Sequence, residues 1–144
     1  MTPERLLLRV LDYDQWANRQ WIRALGAFRD LERAQRVLEH LLASHRYWLG
    51  ICGIEIVLAS VDVNLENLFA DMTDAWKALV ESGDLDEPFP VALGDGRSGH
   101  LTLGDIALHV VNHGTYHRGH LRGLAEAEGS TQFPETDLAA VLLE

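Results

Sequence analysis

Apolar residues recur at intervals of three and four along four long stretches of this 144-residue chain, and that period admits amphipathic helices and little else. The third stretch is the plainest: Leu65, Leu68, Phe69, Met72, Trp76, Leu79 and Val80 form one stripe, starting after Asp62 or Asn64. The first helix is expected to open with Thr2 as N-cap and Pro3 at its first position and to run to about Gly26. The second covers roughly Asp30 to Gly50. The fourth opens at Thr102, with Asp105 three residues on as in a capping box, and continues to about Glu128, before Gly129. A short last helix near Thr136 holds Leu138, Val141 and Leu142. The pattern changes between Glu87 and Leu103, where Pro88 to Leu93 and His100 to Leu103 flank Gly94-Asp95-Gly96 and predict a small hairpin. With one crossover-length connection, these elements predict an all-α four-helix bundle in a single domain over 1–144, with a small β-hairpin before the last long helix.

Charge narrows the partners. A net charge of −10 repels phosphate backbones and anionic headgroups, so neither nucleic acid nor a membrane surface is expected, and a small-molecule substrate is. No run of like charge marks an acidic tail. The lone Cys52 cannot form an internal disulfide, which fits a reducing compartment. Glu4, Arg5, Arg9 and Asp12 interrupt any signal-like apolar region, and a cytoplasmic protein is expected.

Four of the seven histidines, His109, His113, His117 and His120, fall within twelve residues of the fourth helix. At about 100° per residue all four share one side, and His113 and His117 join the stripe Leu103, Ile106, Val110, Leu121, Leu124 where a bundle expects aliphatics. An imidazole buried without partners costs about 1–3 kcal/mol, and a metal ion resolves that cost for two of them. His at i and i+4 converges on one point, the spacing zinc helices use, but a third ligand from another helix is needed. On the second helix His40 borders the expected inward face, whereas His45 lies off it, so His40 is preferred. Three neutral histidines with an open position suit Zn, Ni, Fe or Cu as divalent ions, and the sequence does not choose among them. The competing reading is of histidines satisfied by water and neighbours.

The run His109-Val110-Val111-Asn112-His113-Gly114-Thr115-Tyr116-His117-Arg118-Gly119 is one of several landmarks that occur in order along nearly the whole chain. The others are Tyr13-Asp14-Gln15-Trp16-Ala17-Asn18, His40-Leu41-Leu42 followed by Arg46-Tyr47-Trp48-Leu49, and Pro134-Glu135-Thr136-Asp137-Leu138. Together they resemble the DinB-like (DinB/YfiT) superfamily. That resemblance implies a metal-binding four-helix bundle, often a homodimer and in name damage-inducible, with His40, His113 and His117 as ligands. Its relatives include transferases and isomerases that use low-molecular-weight thiols. His120 stands where the family usually has Gln, and His45 where an acidic residue is common. A metal-dependent S-transferase-like enzyme activating a thiol or water is therefore expected. Its rivals are a metal-dependent hydrolase and a non-enzymatic, stress-related metal-binding bundle.

Other residues carry weaker expectations. His109, Asn112, Tyr116 and Arg118 flank the ligands and are candidates to support them, against a reading as ordinary helix surface. Trp16 and Trp48 are candidates to line an apolar pocket over the metal, with Asn18 at the same end, against a reading as core. His100 is expected at the surface. Gly119 and Gly123, opposite the histidines, suggest close helix approach across a dimer.

Overall fold

Every expected long helix starts at a side-chain cap that accepts one of its unpaired N–H groups in the computed structural model, which describes residues 1–56 and 64–143. Thr2 caps α1 (Pro3–Ala24), which runs into a 3-10 turn at Leu25–Ala27. Asp30 caps α2 (Leu31–Ile51), and Asn64 caps α3 (Leu65–Ser82). The alternative start at Asp62 lies outside the described residues. Thr102 and Asp105 make both bonds of a capping box at the head of α4 (Leu103–Ala127). Gly129 ends that helix at φ +83°, and the following N–H of Ser130 turns back to the Ala125 carbonyl. Asp137 caps the short α5 (Leu138–Leu142).

The hairpin pairs β1 (Pro88–Ala92) with β2 (Ser98–Thr102), antiparallel, with Pro88 opposite Thr102 and Ala92 opposite Ser98. Its second strand starts two residues earlier than the apolar pattern suggests. Pro88 and Pro90 lack N–H groups but are tolerated, since β1 has a single partner strand. Gly96 makes the turn at φ +89°. The N–H groups of Leu103 and Gly104 bond the carbonyls of Glu87 and Leu85, so the hairpin hands directly into α4.

The protein is thus mainly helical with one small hairpin. Helix α1 packs against α3 and α4, α2 packs against the same two, and α1 and α2 touch only lightly. One core cluster includes Leu11, Leu49, Met72, Trp76, Leu103 and Ile106; a second includes Trp21, Leu38, Leu41, Phe69 and Leu121. Burying side chains of this size contributes about 1.5–3 kcal/mol each. Among the described residues no helix is long and apolar enough to cross a membrane.

The two-sided packing of α2 corrects one expectation. With His40 at zero, the buried Ala34, Val37, Leu38, Leu41, Trp48 and Leu49 average near 120°, which puts His45, near 140°, well inside the buried face. His45 is 2% exposed and His40 is exposed. On α4 the buried stripe runs through Leu103, Ala107, Val110, Gly114, Arg118, Leu121 and Ala125, near 100° from His113. His113 and His117 therefore flank the core and are half-buried. Both helices carry their outer histidines on the rim where they meet.

Candidate metal centre

One ligand nitrogen each from His40, His113 and His117 comes within 4.8 Å of the other two. The Nε2 atoms of His113 and His117 are 3.0 Å apart, and the His40 ring centre lies 5.2 Å from that of His113 and 4.6 Å from that of His117. Two rings come from successive turns of α4 and the third crosses from α2. Nitrogens around a tetrahedral zinc ion, at about 2.0–2.1 Å from it, stand about 3.3 Å from one another, so this donor set fits such an ion after small side-chain adjustments. Burial first, then the neighbouring His117, His40 and His109, pushes His113 down to about 4. Burial and then His40 and His120 lower His117 as well. Neutral imidazoles are the form that ligates metals.

The supporting residues divide. His109 stacks on His113 with ring centres 5.7 Å apart and lies edge-on to Trp48 at 5.0 Å. Tyr116 packs edge-on to His117 at 5.1 Å. Asn112 is exposed and makes no side-chain hydrogen bond among the described residues. Trp16 is half-buried against the core beside Tyr13 and not among the rings that meet the triad. His100 and His120 are exposed. Among the described residues nothing lies within 4 Å of a Cβ built at Gly119 or Gly123, so no close approach among them explains either glycine.

Arg118 and Asn18, expected at the pocket, are instead buried in an ion network that joins all four long helices. Arg118 Nη1 donates to Asp14 Oδ1 and to Asn18 Oδ1, each at 2.7 Å, and Nη2 donates to Thr115 Oγ1 at 3.2 Å. Asn18 Nδ2 donates to Asp14 Oδ2 at 3.1 Å. Trp76 Nε1 donates to His45 Nδ1 at 3.0 Å, which leaves the proton of a neutral His45 on Nε2, facing Asp14 Oδ2 at 3.1 Å. Burial alone would raise Asp14, but the His45 hydrogen bond and the Arg118 guanidinium hold it below the ordinary carboxylate value. Asp14, Asn18, His45 and Arg118 are each 3% exposed or less. The Asp14–His45 pair is sealed from solvent and ties α1 to α2 within the core.

Gly114 makes the network possible. A Cβ there would run into Asp14 Oδ1 and come within 2.8 Å of Arg118 Nη1. Sequence reading missed the roles of Asp14, His45 and Gly114; the one available signal was a glycine placed mid-helix at a cost of about 1 kcal/mol. Comparison with protein-family models, curated proteins and solved structures gave no match to this chain.

Proposed function

We propose that the chain is a DinB-like four-helix bundle that holds one divalent transition metal through His40, His113 and His117, and that it is a metal-dependent enzyme acting on a small molecule with a low-molecular-weight thiol or water as co-reactant. The observation that carries this reading is the convergence of three imidazoles from two helices to within 4.8 Å at a rim open on the His40 side. A divalent cation bound there lowers the pKa of a thiol or water and polarises an electrophile. The protein's own contribution is positional. His113 and His117 ride on one rigid helix, while Arg118, the next residue, is clamped from α1 by Asp14, which fixes the rotation of α4 beneath them. Thiol use rests on the family resemblance, and the hydrolase alternative is separated by turnover without added thiol.

The test is metal content by mass spectrometry on tag-free protein purified without chelators or nickel resin. About one transition metal per chain is expected, lost in His40→Ala, His113→Ala and His117→Ala. Full retention in these variants, or a wild type that no divalent ion loads, overturns the reading. Because the triad joins α2 to α4, a non-enzymatic, structural metal is the second reading. It predicts a marked fall in unfolding temperature on metal removal and no turnover. A homodimer, which the family resemblance implies, belongs to the first reading, and sedimentation tests it.

A further inference from the structure

A chain of rings leads from α2 through His109 to the triad, and a further ring of α4 borders it. Tyr47 meets Trp48 edge-on at 5.2 Å, Trp48 meets His109 at 5.0 Å, and His109 lies nearly parallel to His113, at 21°. The Tyr116 ring, also on α4, stands perpendicular to His117, at 89°. A core role explains Trp48, which is 9% exposed, but not Tyr116, which is 73% exposed. Tyr116 also makes no side-chain hydrogen bond among the described residues. A single exposed tyrosine needs no explanation, whereas His109 and Tyr116, both exposed and each against a different triad ring, place aromatic surface beside the site where an incoming molecule would rest. His109 and Tyr116 sit one turn or less from His113, within about 6 Å of it along the axis, the reach of one ligand ring. These groups offer π faces and edges rather than fixed charge, and the chain's net charge of −10 disfavours polyanions.

We propose that Trp48, His109 and Tyr116 form a stacking platform beside the triad, and that the substrate is a planar aromatic or conjugated molecule carrying a donor atom that reaches the metal position. This rests on the metal-binding reading of His40, His113 and His117. Trp48 anchors His109 from the core, and His109 and Tyr116 present the exposed rings.

Two probes with one chelating group separate the platform from the metal: acetohydroxamate, with a methyl, and benzohydroxamate, with a phenyl ring. Calorimetric titration of each into zinc-loaded protein is expected to give about tenfold tighter binding of benzohydroxamate, the scale of one favourable ring contact together with its buried area. In Tyr116→Ala and His109→Ala, each loaded with zinc, the preference for benzohydroxamate over acetohydroxamate should fall several-fold. A residue that only supports the fold would weaken both probes alike. Equal affinities in the wild type, or a preference that survives both substitutions, would overturn the platform and leave the metal site standing. Failure of the wild type to take up zinc would overturn the metal reading, and the platform with it.

Discussion

At the scale of single residues, Gly114 is a position where no side chain fits without displacing a buried charge. Gly114→Ala gains helix propensity, yet its methyl group must displace Asp14 or Arg118 from a buried ion pair. Breaking such a pair costs about 3–5 kcal/mol, several times the propensity gain, so urea unfolding should show a strongly destabilised variant. Asp14→Asn is expected to destabilise comparably by leaving Arg118 without its counter-charge. The pH dependence follows from Asp14 as well. Its folded pKa lies below the ordinary carboxylate value of about 3.8, so below that value the unfolded chain takes up the proton more readily. The stabilisation is complete above about 3.8 and is lost as pH falls through the folded value. As pH falls below about 3.8 the urea midpoint of the wild type should therefore fall more steeply than that of Asp14→Asn. The triad was legible because His113 and His117 repeat every four residues on one helix. The network was not, since Asp14 and Arg118 are 104 residues apart and periodicity records only neighbours on the same element.

Element boundaries were the most legible feature, because Thr2, Asp30, Asn64 and Thr102 are short oxygen-bearing side chains placed just before apolar periods. The box at Thr102 stabilises the head of α4, about 16 Å along the axis from His113. Thr102→Ala should cost about 1 kcal/mol in thermal unfolding and leave zinc stoichiometry unchanged. Helix faces were less legible than helix ends. A stripe assigned from a few aliphatics assumes one neighbour, whereas α2 has both α3 and α4 to cover it. Its buried arc is wide enough to take in His45, which the narrower arc left outside.

For the molecule as a whole, a metal held by the triad, on the proposed reading, would be a second fastening between α2 and α4. A ligand that binds only the folded state stabilises it by about 2.7 kcal/mol at 100 times its dissociation constant. Zinc at that excess should raise the unfolding temperature of the wild type by several degrees and leave that of His40→Ala unmoved. The helical class and the hairpin were readable from spacing alone; how the helices pair was not, because pairing depends on contacts between distant stretches. The buried charge cluster has a consequence for biosynthesis. Asp14 leaves the ribosome 104 residues ahead of the arginine that neutralises it. At about 5–20 residues per second, α1 waits some 5–20 seconds for that partner. During that interval its carboxylate stays hydrated, and the pieces that build the site cannot lock together until the last long helix has emerged.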